Sequence, residues 1–163
     1  MATFPCTQKE QQAWKQPDSL AFYANHRCQP DELYPSERRF LPEILPQVDS
    51  CLDFGCAAGG FSKIMKQYNP ALDYTGVDIT AEFIRIAKTN YPESHFLTID
   101  GNNLPFEPKS FDLVHSSGVL HLNTTHREIV KELYRVCGSY LLADFRLTEG
   151  PEQRGECKVQ FHE

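Results

Sequence analysis

Ser50–Met65, which reads SCLDFGCAAGGFSKIM, decides the fold of this chain. A short apolar run, Cys51–Phe54, ends in small residues and is followed by an amphipathic pattern over Gly60–Tyr68. This order predicts a strand, a glycine-rich turn and the N-terminus of a helix. Glycines in such a turn leave room for a ligand near the backbone, and the free N–H groups of the helix point to the same place.

The acid that precedes this turn indicates the charge of the ligand. Asp53 lies two residues before Gly55. A carboxylate at that position would repel a pyrophosphate but could hold an ammonium group or the N–H groups of the turn. The stretch therefore favours a cationic nucleoside over a dinucleotide.

Beyond this stretch, strands and helices alternate. Four more strands are predicted, at Tyr74–Ile79, His95–Ile99, Phe111–His115 and Tyr140–Phe145. Helices are expected over Thr80–Thr89 and Thr125–Val136, the second ended by Gly138, and residues 102–110 form a loop that contains proline. Alternation of this kind predicts an α/β protein with a Rossmann-like, doubly wound parallel sheet of strand order 3-2-1-4-5.

The residues before the first strand form a helical segment. Helices are expected over Lys9–Lys15, over Ser19–His26 and from Tyr34 onward, and Pro42 is expected to kink or split the third. We interpret residues 1–48 as a lid over residues 49–163, the ligand-binding part of a single compact domain. The candidate lid side chains are Tyr23, Arg27 and Tyr34.

Composition restricts the possible partners and compartment. The chain of 163 residues has 16 basic and 22 acidic side chains, a net charge of −6, which argues against nucleic-acid binding. No apolar run approaches the ~18–20 residues needed to cross a bilayer, so no membrane association is expected. The six cysteines form no C-x-x-C pair, which predicts a reduced, cytoplasmic protein without a metal site.

Polar or small residues follow each of the first four strands in the predicted sheet. They are Asp53 to Gly59, Asp78, Asp100 with Gly101, and Ser116 with Ser117. Parallel strands bring these carboxyl ends to one rim, where such sheets bind ligands. Asp78 lies 78 − 53 = 25 residues after Asp53, where an acid that accepts hydrogen bonds from ribose hydroxyls is expected.

Four motifs in this order resemble those of class I S-adenosylmethionine-dependent methyltransferases, and most closely the small-molecule, type 11 branch: Asp53–Gly59, Gly76–Asp78, Asp100–Phe106 and Phe111–Leu122. The resemblance covers roughly residues 35–145. It implies that S-adenosylmethionine is the cofactor. It also implies that the turn with Gly55, Cys56, Ala57 and Gly59 holds the methionine part of that cofactor.

The same resemblance implies roles for the other strand ends. Asp78 would bind the ribose hydroxyls, with Ile79 packed on the adenine. Asp100 would contact the adenine amine, and the Gly101 N–H group would lie against the ring. The backbone carbonyl of Ser116 would meet the methionine ammonium group. Ala57 replaces the usual middle glycine, and its methyl group could crowd the cofactor.

The expected reaction is methyl transfer to a small-molecule acceptor. A general base is needed only where the nucleophile carries a proton, and His121, after the fourth strand, is the candidate. His115, within that strand, is expected to be a hydrogen-bonded core residue. The first alternative is a catalytically incomplete cofactor-binding domain. The second is an NAD-dependent oxidoreductase, because the spacing of Gly55, Ala57 and Gly60 also fits the glycine motif of that class.

The C-terminal end is expected to be shorter than in this family. Only Thr148–Glu163 remains after the fifth strand, with room for one short strand near Lys158–Phe161. The apolar fifth strand would then be an edge, and edges of this kind promote self-association. The tail folding back, a second subunit, or a missing part of a longer protein could each cover that edge.

Overall fold

The structure, a computed structural model, describes Trp14 and residues 17–101, 103–145 and 149–150. In this part of the chain the α-helices are α1 (Pro17–Asn25), α2 (Pro35–Ile44), α3 (Gly60–Tyr68), α4 (Ala81–Asn90) and α5 (His126–Val136). The strands are β1 (Ser50–Phe54), β2 (Asp73–Asp78), β3 (His95–Thr98), β4 (Phe111–Ser116) and β5 (Cys137–Ala143).

The five strands form one sheet in the order β3-β2-β1-β4-β5, and every neighbouring pair is parallel. The predicted fold class and strand order are therefore confirmed. Helices α3, α4 and α5 carry the chain from β1 to β2, from β2 to β3 and from β4 to β5, whereas no helix is described between β3 and β4. The carboxyl ends of all five strands consequently lie at one rim.

Alternate side chains of the strands leave the sheet on opposite faces and enter two separate cores. Cys51 and Leu113 belong to the first core, where they pack with α2, α3 and α4. Leu52 and Val114 belong to the second, which is covered mainly by α5. Helices on both faces of a parallel sheet make the architecture doubly wound.

Two predicted boundaries are wrong. β5 begins at Cys137 instead of Tyr140, because α5 continues into the strand without a loop, and Gly138 lies inside the strand. A Cβ at Gly138 would lie 3.2 Å from the Phe111 carbonyl oxygen, beside the irregular register of β4 and β5. Pro42 does not split α2, which continues to Ile44. The proline removes one N–H group from the last part of the helix without ending it.

Other predictions concern residues that are not described. The helix over Lys9–Lys15 lies outside the described residues except for Trp14, and so does the strand near Lys158–Phe161. Among the described residues, no helix has the length and apolar character needed to cross a membrane.

Candidate functional site

A cavity of about 550 Å³ lies at the carboxyl ends of β1, β2 and β4. Gly55, Cys56 and Ala57 line it from the β1 turn, and Asp78 with Ile79 line it from the end of β2. The N-terminal segment lies across it, and all three predicted lid side chains, Tyr23, Arg27 and Tyr34, are part of its lining. The cavity is within the usual size range for sites that bind small molecules.

The turn after β1 has an unusual backbone. Gly55 and Ala57 both adopt left-handed conformations, with φ of +78° and +46°. The N–H groups of Gly55 and Cys56 donate to the Val77 carbonyl oxygen, at 2.8 and 3.0 Å. These hydrogen bonds attach the turn to β2.

The left-handed conformation of Ala57 is strained, because alanine carries a Cβ. This strain lowers the free energy of unfolding of the protein.

The predicted glycines of this turn have two different functions. Gly55 lines the cavity, and a Cβ there would collide with Val119 on the loop after β4. Gly59 lies outside the cavity lining, and a Cβ there would lie 2.8 Å from the Phe96 ring and 3.0 Å from Ala87. Gly59 therefore allows close packing of α3 against the sheet and α4.

Asp78 is a buried carboxylate at the cavity, which Glu32 also lines. It is 9% exposed, and it accepts hydrogen bonds from the N–H groups of Ala57 (3.0 Å) and Thr80 (2.8 Å). Burial raises the pKa of Asp78 to about 6, although these hydrogen bonds oppose the rise. A buried carboxylate with a raised pKa gains from any ligand group that donates hydrogen bonds to it.

The predicted contacts from β3 and β4 are only partly at the cavity. Gly101 lines the cavity, but Asp100 is exposed and borders a separate shallow depression with Pro105. The neighbouring Ile99 is buried and lines both the cavity and this depression. The Ser116 carbonyl oxygen accepts the N–H group of Asp144 at 3.2 Å, and the cavity is lined by Ser117 and Gly118 instead.

Asp53 is directed into the protein interior. Its side chain is buried, and it accepts hydrogen bonds from the Tyr74 hydroxyl at 2.5 Å and from Nδ1 of His115 at 2.7 Å. Asp53 is not part of the cavity lining. The prediction that it holds an ammonium group or the N–H groups of the turn does not match these contacts. It joins β1 to β2 and β4 within the first core.

His115 is the buried, hydrogen-bonded core residue that the sequence predicts. Nε2 lies 3.8 Å from Oε1 of Glu37, so the imidazole stands between two carboxylates, those of Glu37 and Asp53. Burial alone would lower its pKa, but the two carboxylates raise it to about 9. His115 is therefore a buried cation at neutral pH.

Arg27 and Glu37 form an ion pair at the edge of the cavity, and sequence reasoning missed Glu37. Nη2 of Arg27 donates to both Glu37 oxygens, at 2.6 and 2.7 Å, and to Oγ of Ser117 at 3.1 Å. Burial opposes ionisation of Glu37, yet the nearby His115 imidazole, the hydrogen bond from Ser117 and the charge of Arg27 lower its pKa to about 2. The sequence does contain one indication that Glu37 is buried. Glu37 precedes the buried Leu41 by one helical turn, so the two side chains lie on the same face of the helix.

Aromatic side chains form much of the remaining wall. Trp14 and Phe83 each meet the Tyr23 ring edge-on, with ring centroids 5.9 Å apart. His26 stacks on Phe22 at 3.9 Å. All five line the cavity. The wall presents flat apolar faces to any bound molecule.

The structure does not place His121 in the lining of the cavity. It lies in a 3-10 turn, Leu120–Leu122, whose neighbours Val119 and Asn123 are the lining residues. His26 is the histidine at the cavity, and its position in the N-terminal segment gave no signal of this. No group of three or more potential metal ligands occurs in the described part of the chain.

Comparison with known proteins gives the family of this architecture. The chain is 27% identical over 101 residues to a demethylmenaquinone methyltransferase of Thermotoga maritima, covering 61% of this chain and 44% of that one. It is 33% identical over 106 residues to the human probable tRNA methyltransferase 9B, covering 63% and 22%. The chain thus spans less than half the length of these relatives.

The fold recurs in a protein of known structure, PH0226 from Pyrococcus horikoshii. It superposes with a TM-score of 0.57 at 26% identity, over 66% of this chain and 54% of that one. The family model described as a methyltransferase domain matches residues 52–139, which include most of β1, all of β2, β3 and β4, and the cavity-lining ends of β1 and β2. The chain therefore belongs to the class I S-adenosylmethionine-dependent methyltransferase family.

Proposed function

We propose that this chain binds S-adenosylmethionine in the cavity and transfers its methyl group to a small-molecule acceptor. The observation that carries the proposal is the buried Asp78 carboxylate, fixed by the N–H groups of Ala57 and Thr80 and facing the cavity. A carboxylate accepts two hydroxyl hydrogen bonds at once, so Asp78 fits a ribose diol.

The residues around Asp78 fit the rest of this cofactor. Ile79 and Phe83 offer apolar surface to an adenine ring next to the diol site. A Cβ at the cavity-lining Gly118 would meet no protein atom within 4 Å, so this side of the cavity has room for a ligand. Of the predicted contacts, Gly55, Cys56, Ala57, Asp78, Ile79 and Gly101 form the proposed cofactor site.

The cofactor supplies an activated methyl group on a sulfonium ion. The residues of the chain then have to orient the two reactants in line and to exclude water. The aromatic wall of Phe22, Tyr23 and Tyr34 is suited to both tasks, and aromatic faces also stabilise a nearby cation. A proton lost by the acceptor would go to His26 or to solvent, because His121 is not part of the cavity lining.

A small molecule is the proposed acceptor because the cavity is enclosed by apolar rings and the chain has a net charge of −6. The expectation that nucleic acid is excluded has no support from the comparisons, since one relative is named a probable tRNA methyltransferase. Family membership argues against the NAD-dependent oxidoreductase. The proposed compartment is the cytoplasm, which agrees with free thiols at all four described cysteines.

Calorimetric titration with S-adenosylhomocysteine and with NAD tests the cofactor assignment. We expect the first to bind and the second not to bind. Asp78→Asn, which keeps the shape of the side chain but removes its charge, should weaken S-adenosylhomocysteine binding by roughly tenfold or more. The matched control is Asp73→Asn, at the exposed start of β2. Equal affinity of the Asp78→Asn variant and the wild type would refute the site.

The acceptor class requires a separate measurement. Transfer of a labelled methyl group should be measured with a panel of small aromatic and aliphatic acceptors and with unfractionated tRNA. Labelling of a small molecule supports the proposal, and labelling of tRNA alone contradicts it. Cofactor binding without any transfer would support the alternative of a catalytically incomplete domain.

A further inference from the structure

We propose that the acceptor is a phenol and that His26 is the catalytic residue whose Nε2 takes the proton from its hydroxyl group. The proposal rests on the proposed function, because it places the phenol beside the bound cofactor. It goes further by naming the class of acceptor and the base.

The hydrogen bonds of His26 leave one ring nitrogen available. His26 follows α1 directly, and its Nδ1 lies 2.8 Å from the Phe22 carbonyl oxygen. A carbonyl oxygen only accepts hydrogen bonds, so Nδ1 carries the proton and the lone pair of the neutral imidazole lies on Nε2. Within the described part of the chain Nε2 has no hydrogen-bond partner, and the exposed His26 lines the cavity.

The ring of His26 is also held in place. It stacks on the Phe22 ring, with centroids 3.9 Å apart and 11° between the planes. The two residues lie four positions apart, so they share one face of the segment, and both line the cavity. The stacking and the Nδ1 hydrogen bond together fix the direction of the imidazole, with Nε2 as the nitrogen farther from the helix backbone.

The chain on both sides of His26 packs on the proposed cofactor site. A Cβ at Gly60 would collide with the Arg27 carbonyl oxygen, so the residue after His26 lies on the start of α3, next to the β1 turn. Tyr23, three residues earlier, meets the Phe83 ring at the proposed adenine side. His26 therefore belongs to the stretch that spans the proposed methionine and adenine sides, which the sulfonium joins.

The cavity wall and the base together select the acceptor. Trp14, Phe22 and Tyr34 line the cavity, and aromatic side chains pack well on another aromatic ring. A base is useful only where the nucleophile carries a proton. A phenolic hydroxyl, with a pKa of about 10, loses that proton to an imidazole far more readily than an aliphatic hydroxyl does. A phenol satisfies both conditions.

Glu32 is placed to compensate the charge that His26 would acquire. It lines the cavity, and its Oε2 accepts from the N–H groups of Cys28 at 3.0 Å and Gln29 at 2.9 Å. Burial opposes ionisation of Glu32, but these backbone hydrogen bonds and the charge of His26 lower the pKa of its carboxyl group. An ionised carboxylate near the imidazole stabilises the imidazolium.

The step balances between the two reactants and His26. The phenol O–H bond breaks, its proton bonds to Nε2, and the oxygen keeps the electron pair. That oxygen forms the new bond to the methyl carbon while the bond between this carbon and sulfur breaks, and the electrons of the broken bond stay on sulfur as a neutral thioether. The exposed imidazolium then returns its proton to solvent.

The imidazole can be tested without any ligand. Nuclear magnetic resonance of the ring nitrogens should show the proton of the neutral His26 on Nδ1, with the signal assigned by its loss in His26→Asn. A proton on Nε2 in the neutral form overturns the proposal, because Nε2 would then have no lone pair for the phenol.

Three variants isolate the base. His26→Asn keeps an N–H group near the position of Nδ1, and His26→Phe keeps a ring that can stack on Phe22, but neither has Nε2. His95→Gln is the matched control, because His95 is exposed on β3, outside the cavity lining and 3.6 Å from Asp73. All three should bind S-adenosylhomocysteine as the wild type does. Loss of that binding in both His26 variants assigns His26 to the cofactor and overturns its role as the base.

Ionisation of a bound phenol gives a second readout. The absorption of para-nitrophenol changes when it loses its proton. It is titrated into the protein saturated with S-adenosylhomocysteine, at a pH at which the free dye is mainly protonated. We expect binding to ionise the dye in the wild type and His95→Gln but not in the two His26 variants. Binding to the wild type without added ionisation overturns the base, and absence of binding overturns the phenol.

Rates of methyl transfer to phenols of increasing acidity separate a base from a structural residue. With phenol itself, kcat of His26→Asn should fall about 100-fold with little change in KM. The loss should shrink with more acidic phenols, which ionise without help. An equal loss across the series, or a change in KM alone, overturns the catalytic role. Methylation of amines or carbon acceptors alone overturns the phenol but leaves the proposed function intact, whereas failure of the wild type to bind S-adenosylhomocysteine refutes the proposed function itself.

Discussion

The buried cation at His115 should make the stability of this protein depend on pH in the alkaline range. Its pKa in the folded protein is about 9, against an ordinary value of 6.5. A pKa raised by folding adds stability that is fully present below the unfolded value and is lost as pH rises through the folded one. The window in which this stability is lost is therefore pH 6.5 to 9.

The magnitude follows from the shift. Each pKa unit corresponds to ~1.4 kcal/mol, so the shift of His115 contributes about 3 kcal/mol at pH values below the window. Between pH 6.5 and 8.5 the free energy of unfolding should fall by roughly 2 kcal/mol. Asp78 and Glu37 contribute little there, because the pKa of Asp78 is about 6 and that of Glu37 about 2. Burial raises the pKa of Cys51, Cys56 and Tyr74 well above their ordinary values, which moves their titration away from this range.

Urea unfolding at several pH values in this window measures the effect, with His115→Asn as the comparison. Asparagine places an amide N–H group near the position of Nδ1 and can still donate to Asp53, but it carries no charge. We expect the stability of the variant to be nearly independent of pH across the window. The imidazole pKa from a nuclear magnetic resonance titration gives a direct second measurement. A constant wild-type stability, or a pKa of His115 below 7, would refute the reasoning.

Three further predictions concern the cavity and the edge of the sheet. The affinity for S-adenosylhomocysteine, measured by calorimetry, should fall as pH drops below about 6, because Asp78 accepts hydrogen bonds best when ionised, and Asp78→Asn should remove this dependence. Ala57→Gly should relieve a left-handed alanine and raise the free energy of unfolding by up to about 1 kcal/mol, with tighter ligand binding; lower stability and unchanged affinity would contradict this. Leu141 and Phe145, at and after β5, are 37% and 49% exposed, so sedimentation should show self-association that grows with concentration, and a strictly monomeric protein would contradict it.

The sheet is predicted well because the sequence patterns that indicate its strands and helices each lie within a short stretch of the chain. Apolar runs that alternate with amphipathic helices give five parallel strands, and the polar residues at their ends give the rim. Asp78 and Gly101 were found in this way. Tyr23, Arg27 and Tyr34, proposed as lid side chains, all line the cavity.

The errors concern the direction of side chains, which local signals do not give. Asp53 and Asp100 both lie at strand ends, yet Asp53 enters the core, and Asp100 is exposed and lies outside the lining of the cavity. For Asp53 a signal existed, because it shares the face of Cys51, and its register partner on β4 is His115. An acid and a histidine on the same apolar face of neighbouring strands indicate a buried pair. The contact of Arg27 with Glu37 depends on how the N-terminal segment packs, which no local pattern contains.

The contrast between Asp53 and Asp78 determines the kind of ligand that this rim can hold. Asp53 has the cation of His115 and the Tyr74 hydroxyl as partners, so its charge is already compensated and it has no need of a ligand ammonium group. Asp78 has backbone N–H groups but no cation, and burial therefore raises its pKa. Hydroxyl donors at Asp78 would stabilise its ionised form without requiring a positive charge. The site at Asp78 consequently matches a ribose more directly than an ammonium group.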